Sequence, residues 1–176
     1  MSRAQVSRAA MALRWSGALL GCLLGAGCLG YQVGTGPRPE YRTIAVPVFR
    51  NRSLAPQMEV QVTNAIIKRL QANGTLRVQS VAEADAVVTG EITNYHRRPL
   101  RYEQNDTNVP REYRVTITAT VEVKDRQGRV LLKSTTFEGR ADTFIGTDLQ
   151  TADFQALPLA ADDLARQVVT MLAERW

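Results

Sequence analysis

The strongest constraint on the fold is a run of alternating residue types at positions 111–124. Apolar and aromatic residues occupy one set of alternate positions: Tyr113, Val115, Ile117, Ala119, Val121 and Val123. Polar residues occupy the other set: Arg114, Thr116, Thr118, Thr120, Glu122 and Lys124. Because successive side chains of a strand point to opposite faces, the run predicts a long strand with one packed face and one polar face.

Other segments predict strands that accompany this one. A turn at Asp125-Arg126-Gln127-Gly128 leads into apolar residues 130–137, which is typical of a β-hairpin. Upstream, a strand is expected to begin near Ala84 and continue towards Tyr102. Residues 43–49 and 76–78 predict two further strands, and Pro47 favours an edge or an end for the first.

Two segments predict helices. Apolar residues recur at helical spacing after Pro56, and Asn73-Gly74 ends that helix. The tail, residues 158–176, predicts a second helix with Pro158 in its first turn. The order of elements indicates an α+β fold, in which two α-helices pack on one face of a mixed, mainly antiparallel sheet of four to five strands.

The first 27 residues have the composition of a secretory signal. Arg3, Arg8 and Arg14 precede an apolar stretch that is too short to span a bilayer. Small residues then lead to Cys28, as in bacterial lipoproteins, whose cysteine is acylated and becomes the mature N-terminus. Cys22 is the alternative acylation site, but it would leave Leu23 and Leu24 at the start of the mature chain.

The leader also changes how the charge of the chain is interpreted. Three of the 22 Lys and Arg residues lie in it, which leaves 19 basic against 17 acidic groups and a net charge of +2. So balanced a chain gives no reason to expect nucleic-acid binding. We expect residues 28–42, which contain several Gly and Pro, to be the acylated N-terminus and a tether, and residues 43–176 to be the folded domain.

The folded domain contains few groups suited to catalysis. His96 is the only histidine, and no cysteine follows Cys28. The sequence has no spacing typical of metal ligands and no strand–loop–helix phosphate cradle. We therefore expect neither an enzyme nor a metal or cofactor site.

Five arginines form the candidate ligand-binding group. If residues 91–102 and 111–123 pair as a hairpin, these arginines gather near its tip: Arg97, Arg98, Arg101, Arg111 and Arg114. Such a group suits phosphorylated or carboxylated ligands. An equally strong interpretation is a solvated hairpin end whose charge is balanced by nearby acids. On the polar face, the hydroxyls of Thr116, Thr118 and Thr120 are candidates for contact with a partner, although threonine is also common in half-exposed strands.

Several motifs, taken in order, resemble a known family. They are Gly30-Tyr31 after the cysteine, the strand at 43–49 with Asn51 and Ser53 behind it, residues 83–92, and Glu112-Tyr113-Arg114-Val115. Together they resemble the lipopolysaccharide-assembly lipoprotein family, LptE, over nearly all of the mature chain.

This resemblance implies a non-enzymatic lipoprotein of the outer membrane, facing the periplasm. Family members plug the LptD β-barrel, assist its assembly and contact lipopolysaccharide during insertion into the outer leaflet. The implied partners are thus an LptD-like barrel, lipopolysaccharide and, through the acyl chains, the outer membrane. The alternative is another α/β envelope lipoprotein, either a peptidoglycan-synthase activator or a secretion-pore subunit. An uninterrupted antiparallel run of three strands after Ala84 would favour the first interpretation.

Mass spectrometry of the mature N-terminus tests the lipoprotein assignment. We expect an N-terminal peptide that begins at Cys28 and carries fatty acyl chains, because more than one chain is needed for stable anchoring. A peptide that begins at Cys22 would select the other cysteine. A mature chain without acyl mass would contradict the assignment altogether.

Overall fold

The structure is a computed structural model that describes residues 41–103, 106–144 and 149–175. The predicted signal, Cys22, Cys28 and the tether up to residue 40 lie outside these residues. Within them the elements, in chain order, are β1 (Thr43–Ala45), β2 (Arg50–Asn51), α1 (Met58–Asn73), β3 (Arg77–Val78), β4 (Ala86–Glu103), β5 (Asp106–Asp125), β6 (Val130–Phe144) and α2 (Leu149–Arg175).

The strands form one mixed sheet with the order β3-β1-β4-β5-β6. Strand β1 pairs in parallel with β3 on one side and with β4 on the other, and β2 pairs in parallel with β4 further along. Strands β4, β5 and β6 form a continuous antiparallel meander. The α+β prediction is confirmed, with six strands in the described part rather than four or five. The extra strand is β2, which follows the predicted strand at 43–49; of that predicted strand only β1 forms. Between β1 and β2, Phe49 is buried, and its N–H donates to Thr63 Oγ1 at 3.1 Å.

The alternation in β5 is confirmed. Its apolar residues from Val115 to Val123 are fully buried beneath the helices, and its threonines lie on the opposite face, which we call the open face. Helix α1 contributes Met58, Val62, Ile66 and Leu70 to the core. Helix α2 buries a stripe at a spacing of four residues: Ala152, Ala156, Ala160, Leu164, Val168 and Leu172. Tyr41, which the sequence analysis placed in the tether, is also buried.

Helix α2 begins nine residues earlier than predicted, at Leu149. Pro158 therefore lies inside the helix, not in its first turn. A proline there lacks the N–H that would bond to the carbonyl of Phe154. The extra turns are stabilised by packing, since Ala152 and Ala156 are buried while Pro158 stays exposed.

The hairpin of β4 and β5 is also longer than predicted. Pairing extends to Glu103↔Asp106, so residues 106–110, which lie between the two predicted strands, also belong to β5. Strand β6 continues to Phe144, seven residues past the predicted end, and its last pair is Glu112↔Phe144. Beyond that pair the hairpin projects from the sheet as two strands.

A β-bulge at Thr93 exchanges the faces on which the odd- and even-numbered side chains of β4 lie. Before it, Ile92 pairs with Ala119 on the helix-covered face; after it, Asn94 pairs with Thr118 on the open face. The extra residue shifts the two-residue alternation by one position. From this point, odd-numbered residues of β4 face the helices and even-numbered residues lie on the open face, as far as the next irregularity at Leu100.

The backbone of helix α2 lies close to the sheet at Gly139 of β6. A Cβ atom there would lie 2.0 Å from the carbonyl oxygen of Ala160 and 2.6 Å from Cβ of Leu164. Both obstacles belong to the helix backbone or are attached directly to it, so they cannot move independently. The absence of a side chain at Gly139 therefore sets the distance between helix and sheet.

We expect Gly139→Ala to reduce the free energy of unfolding by about 2–3 kcal/mol, because α2 must shift away from the sheet. Urea titration of the variant against wild type measures this loss. Thr136→Ala, an exposed change on the same strand, serves as the control and should cost less than about 1 kcal/mol. Equal losses for the two variants would contradict the close-approach argument.

Candidate functional site

The structure places the five candidate arginines in three locations. Arg98 and Arg114 are cross-strand partners on the open face. Arg97 lies on the helix-covered face of β4. In the projecting hairpin, Arg101 Nε is 3.2 Å from Glu112 Oε2, and Arg111 Nε is 2.9 Å from Glu103 Oε2. Only Arg98 and Arg114 therefore share one binding surface, and the expected cluster of five is wrong as a single group.

A cleft of about 410 Å³ surrounds these two arginines on the open face. We call it the open-face cleft. It is lined by residues of three strands: Asn94, His96, Arg98, Arg114, Thr116, Thr118, Glu138 and Arg140. Arg140 was missed by sequence reasoning because the predicted last strand ended at residue 137. The alternation of Phe137, Gly139 and Ala141 with polar residues was the signal that could have extended it.

The cations of this cleft differ in how they are paired. Arg114 makes a two-pronged contact with Asp142, with Nε–Oδ1 at 2.7 Å and Nη2–Oδ2 at 2.8 Å. Its hydrogen bonds lower the pKa of Asp142, and the same contact raises the pKa of Arg114. Arg140 Nη2 lies 2.6 Å from Glu138 Oε2. Arg98, by contrast, makes no ion pair or hydrogen bond with any other described residue, so it is the cation most available to a ligand.

Arg97 has a different environment from its neighbour in sequence. Its Nη1 donates to Asp153 Oδ2 at 2.8 Å, and its guanidinium lies 5.9 Å from the centre of the Tyr95 ring. Tyr95 Oη donates to Asp153 Oδ1 at 3.1 Å. Burial and then the nearby Asp153 charge raise the pKa of Tyr95 to about 12. These contacts fasten β4 to the beginning of α2.

The three candidate threonines lie side by side on the open face and are half-buried. Thr116 and Thr118 line the open-face cleft. Thr120 lines a second cleft of about 660 Å³ further along the same face, together with Glu122 and Lys124. The open face is therefore a continuous polar surface whose hydroxyls alternate with the buried core of β5.

The described residues offer little for catalysis. Across residues 41–103, 106–144 and 149–175, no group of three or more His, Cys, Asp or Glu side chains is placed to hold a metal ion. His96 is exposed on the open face between Asn94 and Arg98.

Neither α1 nor α2 is both long and apolar enough to cross a membrane. The site is a concave polar surface that includes Arg98, a cation unpaired within the described part of the chain, and such a surface suits binding.

The sequence matches the family model for lipopolysaccharide-assembly proteins, LptE, over residues 41–172. The chain therefore belongs to the LptE family, as its motif order indicated. This is a family of non-enzymatic assembly lipoproteins associated with lipopolysaccharide transport. No curated protein sequence gives a significant match to the chain.

Two solved structures share the fold. A minor lipoprotein from Acinetobacter baumannii superposes with a TM-score of 0.52 and 16% identity, covering 76% of this chain and 94% of that protein. A hypothetical protein from Chlamydia trachomatis gives a TM-score of 0.51 and 13% identity, covering 74% of this chain and 95% of the other. At such low identity these similarities establish the fold alone.

The pairing of Arg114 with Asp142 predicts a pH dependence of stability. A carboxyl group whose pKa is lowered by folding stabilises the protein above its ordinary value of 3.8, and this contribution is lost as the pH falls through the lowered value. Urea titrations at neutral and acidic pH should show a smaller acid-induced loss for Asp142→Asn than for wild type. The difference will be small, because both side chains are about 40% exposed. Identical acid profiles would contradict the pairing.

Proposed function

We propose that this protein is an outer-membrane lipoprotein, anchored through acyl chains on Cys28 and facing the periplasm. In this proposal it is a plug and assembly subunit of an LptD-like β-barrel and assists the insertion of lipopolysaccharide into the outer leaflet. It is not an enzyme. The observation that carries the proposal is membership of the LptE family over residues 41–172.

The meander of β4, β5 and β6 supports this proposal over the alternative. In the described residues these strands follow one another without an inserted helix. An α/β lipoprotein of the synthase-activator or secretion-pore type was expected to have helices between the corresponding strands. The fold therefore favours the lipopolysaccharide-assembly interpretation.

The open-face cleft is the surface we propose for lipopolysaccharide. Its phosphate and carboxylate groups would accept hydrogen bonds from Arg98, with Arg114 and Arg140 alongside. Arginine suits this role because its planar fork matches these anions. Thr116, Thr118 and Thr120 would border the bound glycolipid or the barrel wall with hydroxyl groups.

Adjacent arginines on opposite faces allow a matched test of this contact. We expect Arg98→Ala to weaken binding of purified lipopolysaccharide roughly tenfold, because a charge-assisted hydrogen bond is lost. Arg97→Ala removes the same charge from the helix-covered face and should leave the affinity nearly unchanged. Titration of fluorescent lipopolysaccharide measures both. Equal weakening by the two variants would indicate attraction by overall charge rather than a site.

Affinity purification from detergent-solubilised membranes tests the partnership. We expect the full-length protein to retain a large β-barrel protein at a stoichiometric ratio, because a plug is surrounded by its barrel. A lipoprotein of similar size from the same membranes, purified in parallel, is the control. A monodisperse lipoprotein without a barrel would contradict the proposed function.

A further inference from the structure

A third cleft, which lies beside β4 on the side towards α2, has no role in the proposed lipopolysaccharide contact. It has a volume of about 700 Å³ and lies between the loop after β2, the middle of β4 and the first half of α2. We call it the edge cleft. Its apolar lining residues include Leu54, which is fully exposed, Phe154, which is 70% exposed, and Leu157.

The loop that carries Leu54 is held in place by the side chain of Asn51. Asn51 Oδ1 accepts hydrogen bonds from the N–H of Ser53 at 2.9 Å and from its hydroxyl at 2.6 Å. Asn51 Nδ2 donates to the carbonyl of Ala55 at 2.8 Å and to Glu59 at 2.7 Å. The loop ends at Gln57, which has a left-handed φ of 62°. An organised loop that keeps a leucine in water is pre-arranged for an apolar contact.

The charges around the edge cleft are matched within the protein. Arg52 Nε is 3.1 Å from Glu91 Oε1, and Arg97 pairs with Asp153 at 2.8 Å. The hydroxyl of Tyr95 also donates to Asp153. An anionic ligand would have to compete with these carboxylates. The cleft therefore suits an uncharged ligand, in contrast to the open-face cleft.

One wall of the edge cleft is an unpaired strand edge. Strand β2 pairs with β4 at Asn51↔Ile92, and the N–H of Arg52 extends this ladder to the carbonyl of Ile92 at 2.9 Å. Past this point no described strand pairs with the outer side of β4. Unpaired N–H and C=O groups of this kind accept an added strand.

The other edge of the sheet, at β6, differs from the edge at β4. There, side chains of α2 form hydrogen bonds with backbone groups of the strand. Asp163 accepts from the N–H of Arg140 at 3.1 Å, and Gln167 donates to the carbonyl of Glu138 at 2.7 Å. A strand is thus discouraged from adding to β6 at this position, whereas β4 is left available.

We propose that the edge cleft binds an extended segment of the barrel partner, which adds to β4 as a strand in continuation of β2. The inference rests on the proposed function, since it assigns the surface used by that partner. An acyl chain would contact Leu54 and Phe154 but could not bond to the edge of β4. A strand with aliphatic side chains at alternate positions satisfies both requirements.

Paired substitutions in the full-length protein test the apolar contact. Leu54→Asp and Phe154→Asp place an unpaired charge in the edge cleft, and we expect each to reduce recovery of the barrel in affinity purification by roughly tenfold or more. The matched controls are Val81→Asp and Leu159→Asp, which alter exposed apolar residues that do not line the cleft. Thermal unfolding of all four proteins verifies that they fold.

Hydrogen exchange tests strand addition directly. In the purified complex, compared with the lipoprotein alone, we expect the backbone amides in residues 93–98 that point to the outer edge of β4, away from β5, to exchange more slowly by about tenfold or more, because an added strand protects them. Residues 130–137 of β6 serve as the internal reference. Loss of the barrel with the cleft variants, together with this protection, supports the proposal.

The other outcomes overturn the proposal in distinguishable ways. If wild type retains the barrel and both cleft variants do so equally, the proposed function stands and the strand site is wrong. Variants that lose the barrel without protection of residues 93–98 in the wild-type complex would indicate an acyl chain or another apolar contact. A crosslinked dimer of this chain through Leu54 would assign the cleft to a second copy. Wild type without any barrel would refute the proposed function itself.

Discussion

The close contact between α2 and the meander is the interaction on which the rest of this structure depends. Ala160 can approach β6 only because Gly139 has no side chain, and this approach brings Leu164, Val168 and Leu172 into the hydrophobic core. Each large aliphatic side chain buried in this way contributes roughly 1.5–3 kcal/mol. Helix α1 packs beside α2, with Arg69 and Asp162 joined at 2.5 Å. Both helices consequently lie on the same face.

Covering a single face divides the protein chemically. The covered side holds the core and, at its margin, the edge cleft with matched charges and exposed apolar side chains. The open face carries hydroxyl groups and the guanidinium of Arg98, which has no partner among the residues that the structure describes. A plug inside a channel must meet two kinds of neighbour, a protein wall and a charged glycolipid. The two proposals assign these neighbours to surfaces of corresponding chemistry, one apolar with free backbone groups and one cationic.

Much of this architecture could be predicted from the sequence, because strong periodicity leaves few alternatives. The alternation around Ile117 gave β5 and its two faces correctly, and Asn73-Gly74 marked the end of α1. The first turns of α2 were missed because their buried side chains are alanines. In addition, proline is common in the first turn of a helix, so Pro158 was taken as the beginning. Small residues carry little hydrophobic signal, although they are what permits close packing.

The candidate site was harder to predict, because it depends on register. Residues adjacent in sequence were grouped as one cluster, yet neighbours in a strand point in opposite directions. Arg140 was absent from the predicted group because β6 was drawn too short. The residue pattern around Thr93 does not indicate a β-bulge. The face on which each later residue of β4 lies could therefore be determined only from the structure.

The bulge at Thr93 sets which side chains of β4 lie on the open face and which lie on the helix-covered face. If Thr93 were instead a regular ladder residue opposite Thr118, every following residue of β4 would move to the other face of the sheet. Tyr95, which now contacts α2, would then lie on the open face, and Arg98 would lie on the helix-covered face. The bulge thus determines which of two neighbouring arginines binds α2 and which lies on the surface that we propose for lipopolysaccharide.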